Sequence, residues 1–310
     1  MDPPVPSVYP CGYGKMDVVI RLLNGLLMIV IPLGVGVYIV RRWRLSWRLF
    51  MIGAGTFIGS QVLHIPFNQF ALLPLVNSMD LMNAERGIPL LLYGLFFGLS
   101  AGIFEEGARY LVLQRWLKDA RRWEEAVLYG AGHGGVEAIL LGGLALFAFF
   151  QALAYRNADL AEIVPAEQLE AAIAQIGAYW SAPWYAAILG AVERCLAIVV
   201  QITLAVLVFQ AILRRNVLWL ALAVLWHTAV DAIALIGNKS WGIYPAEGAL
   251  FLMALASLAI LISLRRDRSP EGEMLKPELE ARPAETPLDV PADIDLTVER
   301  LEESRFDDSP

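Results

Sequence analysis

Apolar residues run along this chain in seven long blocks, at about 17–40, 49–72, 88–114, 124–153, 184–213, 217–236 and 246–265, with charged residues concentrated in the gaps between them. A hydrocarbon core about 30 Å thick needs about 20 apolar residues of helix rising about 1.5 Å each. Each block meets or approaches that length, so the pattern predicts an all-α polytopic membrane protein with seven transmembrane helices. Between the fourth and fifth blocks, "PAEQLEAAIAQI" opens on Pro and acids and repeats apolar residues at helical spacing. It predicts a short amphipathic helix over about 166–177.

The basic residues alternate from gap to gap. Blocks one, three, five and seven end at "RRWRLSWR", "RWLKDARRW", Arg214 with Arg215, and "RRDR", whereas the intervening loops are poor in bases. Lys and Arg collect on cytoplasmic loops, so the N-terminus is expected outside and the C-terminus in the cytoplasm of a cell-membrane protein. The opening "MDPPVPSVYPCGYGKMD" lacks a basic region leading into an apolar one, and no cleavable signal is expected. Cys11 and Cys195 suggest no disulfide.

The net charge of −7 misleads until it is divided. From Arg266 onward there are fourteen acids and six bases, net −8, which leaves residues 1–265 at +1. Two regions follow: a seven-helix membrane domain, 1–265, and an acidic tail, 266–310. The tail is rich in Pro and Glu and is expected to be mostly disordered, with a short helix near "LTVERLEESRF" if it docks on a partner that the sequence does not name.

Ionisable residues inside a span are costly and mark function by default. Span three carries Glu105, Glu106 and Arg109; span four, in "GAGHGGVEAI", carries His133 and Glu137; span five carries Glu193 and Arg194; span six carries His227 and Asp231. Counted from the basic ends, Glu105, His133 and His227 each lie roughly 13–15 Å deep. Three helices thus bring polar groups to one level. His133 with Glu137, and His227 with Asp231, are i,i+4 pairs that share a helix face, as are Glu105 and Arg109. The glycines around His133 remove bulk and let another helix approach. If these groups share a site, Glu105 or Glu106, His133 and His227 should fall within roughly 10 Å of one another around a polar cavity.

The motifs "EEGAR", "GHGGVE" and "HTAVD", in order on separate helices, resemble the YhfC family of intramembrane proteases, relatives of the CAAX-processing and PrsW-type proteases. The resemblance covers roughly residues 15–265. It implies an intramembrane endopeptidase acting on a membrane-embedded or lipid-modified peptide. The wider group's second motif ends in His or Glu after an aromatic; here Glu137 holds the final position and His133 replaces the aromatic.

Peptide hydrolysis needs water, a base and a donor or metal for the oxyanion. Glu105 or Glu106 is the candidate base, with Arg109 orienting it. His133, Glu137, His227 and Asp231 could complete the site, or bind zinc if a metal is used. Glu193 and Arg194 read as structural support. The site is expected to open toward the cytoplasmic half of the bilayer. His64, which forms its own His-x-x-x-Asn with Asn68, lies deeper and reads as structural or part of an outer vestibule. "GAGHGG" matches a dinucleotide-binding pattern but follows no strand, and is rejected. No nucleic-acid partner is indicated, because the bases lie where topology puts them. A proton-coupled carrier could use the same buried acids, although no internal repeat is evident. A non-catalytic scaffold or immunity protein of the same fold is the third reading.

Overall fold

The computed structural model describes residues 15–266. The domain boundary at 265 and the acidic tail lie at or beyond the edge of the described residues. What is described is helical throughout. The elements are α1 (Lys15–Trp43), α2 (Trp47–Phe67), a π-helical turn (Asn68–Leu72), α3 (Leu73–Ser78), α4 (Gly87–Arg115) and α5 (Trp123–Tyr155), then α6 (Leu160–Ile163), α7 (Ala166–Ser181), α8 (Trp184–Ala187), α9 (Leu189–Leu213), α10 (Leu218–Ser240) and α11 (Ile243–Arg266). Among the described residues, seven stretches are long and apolar enough to cross a membrane, and they coincide with the seven blocks of the sequence.

The second stretch runs past the expected end at 72 and continues to Ser78. Within it, Pro66 and Pro74 each lack the N–H that a regular helix would use. The ladder between them widens, with the Leu73 N–H bonding the Asn68 carbonyl five residues back. The rod therefore stays helical rather than breaking, and Asn68 stands at the shift in pitch.

The amphipathic helix α7 is four residues longer than its pattern predicts. Its last turn holds Trp180, which is buried against Phe149, Ala152, Leu160 and Ile176 and donates its indole N–H to the Ala152 carbonyl at 3.2 Å. Arg21 of α1 closes over this turn, its guanidinium lying 4.8 Å from the centre of the Tyr179 ring and donating to the Ala182 carbonyl at 2.6 Å. A cation over an aromatic face, with an apolar indole beneath, gives the helix end anchors that a polar–apolar count does not register.

The core lies around α5 and α9. α9 is buried without interruption from Val200 to Ala211, and α5 from Ala126 to Gly135. A helix apolar on all sides and enclosed on all sides belongs at the centre of a bundle. α2 and α5 cross with their backbones in contact: a Cβ on Gly53 would lie 2.0 Å from the Tyr129 carbonyl oxygen, and one on Gly132 would lie 2.0 Å from that of Phe50. α4 meets α10 in the same way, a Cβ on Gly98 falling 2.6 Å from the Thr228 carbonyl oxygen. Backbone cannot yield as a side chain can, so small residues at these crossings set how close and at what rotation the helices meet. Gly132→Ala is expected to destabilise the fold by about 3 kcal/mol, the upper range for overpacking. Gly143→Ala, where a Cβ would meet nothing within 4 Å, should be neutral. Thermal unfolding of the two variants in detergent, followed by size exclusion, checks the contrast.

Candidate functional site

The polar groups of spans three, four and six come together as expected. On α4, Glu106 and Arg109 have no exposed surface and Glu105 retains 6 %. His133 on α5 is fully enclosed and His227 on α10 nearly so. Charges so deep persist only when paired and hydrogen-bonded, and each of these is.

Arg109 is the hub. Its Nη1 donates to both Glu106 oxygens at 2.7 and 2.9 Å, its Nε to His133 Nδ1 at 3.3 Å, and its Nη2 to the side-chain oxygen of Gln201 on α9. The same Nη2 stands 3.8 Å from Glu105 Oε2. The planar fork of an arginine, fixed and always charged, can serve several acceptors at once in this way.

This geometry fixes the histidine tautomers. Arginine only donates, so His133 accepts at Nδ1 and carries its proton on Nε2, which it gives to Glu105 Oε2 at 3.1 Å. Both ring nitrogens of His133 are thereby engaged. His227 uses Nδ1 toward Glu106 Oε1 at 2.7 Å and turns Nε2 toward Asp231, 3.6 Å away.

The i,i+4 pairs divide their work. His133 faces the α4 cluster, while Glu137, one turn on, accepts from Arg194 at 2.8 Å and from Gln201 Nε2 at 2.8 Å. Arg194 also binds its neighbour Glu193. Arg194 thus ties Glu137 to Glu193. Gln201, with its oxygen on Arg109 and its nitrogen on Glu137, bridges the buried cluster to a cavity beside it.

That cavity, about 90 Å³, is walled by Glu137, Glu193, Arg194, Gln201, His227 and Asp231 on its polar side. It has room for a few waters and polar groups to hold them. Glu105 and Glu106 stand behind this wall rather than in it. The position corrects one expectation. Glu193 and Arg194 lie in the first turns of α9, Asp231 and Ala234 in the second half of α10, and Leu250 near the start of α11. The cavity therefore extends toward the end of the bundle opposite the basic loops, not toward the half where the sequence placed the opening. The first turns of α9 are only partly buried, whereas its basic half is enclosed in the core.

The expected zinc set of His133, Glu137, His227 and Asp231 is not gathered about one centre. Among the described residues no three His, Cys, Asp or Glu side chains are placed to hold a metal ion. Zinc in a catalytic site takes three protein ligands, but His133 has no free nitrogen and Glu137 is held by Arg194 and Gln201. The residues present do not fit the ion as they stand.

Two neutral side chains escaped the sequence reading. Gln201 is one. Gln61 on α2 is the other, donating to Glu105 Oε1 at 3.0 Å. The signal available was positional: Gln61, His64 and Asn68 lie at i, i+3 and i+7 in an apolar helix, as do Arg194 and Gln201 at i and i+7. Attention to charge passes over amides.

Comparison with known proteins accords with the motifs. A family model described as YhfC intramembrane metalloprotease matches residues 27–252. The uncharacterized membrane protein YhfC of Bacillus subtilis (strain 168) is 31 % identical over 246 residues, which cover 78 % of this chain and 93 % of the relative. No solved structure matches.

Proposed function

Because the chain belongs to the YhfC family of intramembrane metalloproteases, multi-pass membrane proteins, we propose that it hydrolyses a peptide bond of a membrane-embedded or lipid-modified substrate at the cluster of α4, α5 and α10. The observation that carries this reading is the unequal bonding of two adjacent glutamates. Glu106 accepts three hydrogen bonds, two from Arg109 and one from His227, and has no exposed surface. It has the surroundings of a carboxylate that positions other groups. Glu105 accepts one bond on each oxygen and keeps some exposure, so it has lone pairs left for water.

In this reading Glu105 takes a proton from a water whose oxygen attacks the substrate carbonyl carbon. His227, its Nδ1–H held by Glu106, serves as the imidazolium and donates from Nε2 to the oxyanion. The proton on Glu105 passes to the amide nitrogen as the C–N bond breaks, giving a carboxylate and an amine. A general base supplies about 10²- to 10⁴-fold, and one oxyanion donor about 10²- to 10³-fold. No step is routed through a metal. Substrate must enter past Gln201 and Glu137 for its carbonyl to reach both groups.

A second reading has one observation in its favour: His227 itself faces the cavity and is backed by Glu106, the arrangement of a histidine base with its orienting carboxylate. His227→Gln separates the two. Glutamine keeps an N–H donor but is no base. If Glu105 is the base, His227→Gln should cleave a membrane-peptide library about tenfold more slowly than wild type. A loss as deep as that of Glu105→Gln would make His227 the base. Zinc measured by mass spectrometry on the same detergent-purified samples completes the test. Stoichiometric zinc lost together with activity in both His133→Ala and His227→Ala would replace this mechanism with a metal-dependent one. Absence of cleavage under all conditions would favour the carrier or the scaffold.

A further inference from the structure

His64 is one hydrogen bond removed from Gln61, and Gln61 one from Glu105. Ser100 Oγ donates to Asn68 Oδ1 at 2.6 Å, Asn68 Nδ2 to His64 Nε2 at 2.9 Å, His64 Nδ1 to Gln61 Oε1 at 3.3 Å, and Gln61 Nε2 to Glu105 Oε1 at 3.0 Å. The directions are mutually determined. The Glu105 carboxylate only accepts, so Gln61 must turn its nitrogen there and its oxygen to His64, which must then hold its proton on Nδ1 and accept at Nε2. Every donor in the chain points toward Glu105. Hydrogen bonds in series polarise one another, so the far links strengthen the last. The His64 ring is held by stacking on Phe104, with centroids 5.3 Å apart and planes 23° from parallel. Phe104 immediately precedes Glu105. Asn68 occupies the π-helical turn, where the altered pitch carries its side chain to α4.

We propose that Gln61 and His64 are positioning residues that fix the Glu105 carboxylate for its reaction, which assigns His64 a role the sequence denied it on grounds of depth. Gln61, one turn nearer the basic end, bridges the difference in level. The other oxygen of Glu105 receives a matching chain, from Arg109 through His133. The carboxylate is thus clamped from α2 and α5 at once. This inference rests on the proposed use of Glu105 as the base.

The test is infrared difference spectroscopy on the full chain in lipid nanodiscs, with ¹³C-labelled glutamate. Subtracting Glu105→Gln from wild type isolates the Glu105 carboxylate band. Repeating the subtraction in a His64→Leu background should give a shifted and broader band. In His64→Asn, whose amide nitrogen replaces the Nδ1 donor, the band should return. On a peptide that the wild type cleaves, His64→Leu should lower kcat roughly ten- to a hundredfold, the usual cost of losing an outer partner, with KM unchanged, and His64→Asn should restore it. If His64→Leu does not fold, Gln61→Met removes the final donor instead. An unmoved Glu105 band, or a variant that alters KM with kcat intact, overturns the assignment. If wild type cleaves nothing, the peptidase reading fails while the infrared comparison still decides the relay.

Discussion

Glu105→Gln is expected to lower kcat/KM for cleavage of a membrane peptide by about 10²- to 10⁴-fold, the contribution of a lost general base. The substitution is nearly isosteric and leaves the fold in place. Glutamine still accepts at its oxygen, from either Gln61 or His133, and its amide group meets a donor on the other side. That mismatch costs about 1–3 kcal/mol of stability, which a thermal scan resolves from the kinetic effect. The fall should lie in kcat with KM little changed, because the carboxylate acts in the transition state rather than in binding. Glu106→Gln should be the more destabilising of the two. It removes the partner of Arg109 and His227 together, so loss of stability accompanies loss of activity. Equal kinetic effects with equal loss of stability in the two variants would defeat the division of roles between the two glutamates.

Arg109→Leu should be the most destabilising single change in the bundle, at about 3–5 kcal/mol, because it leaves buried charge without a counter-ion. Four acceptors lose their donor at once: both oxygens of Glu106, His133 Nδ1 and the Gln201 oxygen. Arg109→Lys should rescue little, since an ammonium cannot present a planar fork to a carboxylate, an imidazole and an amide in three directions. Pairing Arg109→Leu with Glu106→Gln removes charge from both sides and should recover roughly 1–3 kcal/mol relative to additivity. Chemical or thermal unfolding in detergent measures the cycle. Strict additivity would mean that the two groups do not depend on each other, against the contacts between them.

Much of the site was legible because membrane burial makes ionisable residues conspicuous. Glu105, Glu106, Arg109, His133 and His227 stood out in apolar blocks, and counting residues from the basic loops put Glu105, His133 and His227 at one level. The structure joins them through Arg109. Counting set His64 apart by depth, but depth along one helix says nothing of a long side chain from the preceding turn, and Gln61 links His64 to Glu105. Nor does counting reveal that the metal set is dispersed. His133 and Glu137 share a helix face, but a shared face does not make shared partners: the first bonds α4 and the second α9.

Sequence by itself determined the seven spans, their polar residues and the family resemblance. The first two follow from local quantities, the length of an apolar run and the presence of a charge within it. Tertiary structure alone decided which glutamate has spare lone pairs, that Gln61 and Gln201 belong to the network, and that the cavity lies toward the end opposite the basic loops. Those outcomes depend on how helices are rotated and how closely they cross. Backbone contacts such as Gly53 with Tyr129, Gly132 with Phe50 and Gly98 with Thr228 fix that rotation, and both partners of each contact lie on different helices. A hydrogen bond between helices is a property of two surfaces brought into register, and a single chain pattern carries only one of them at a time.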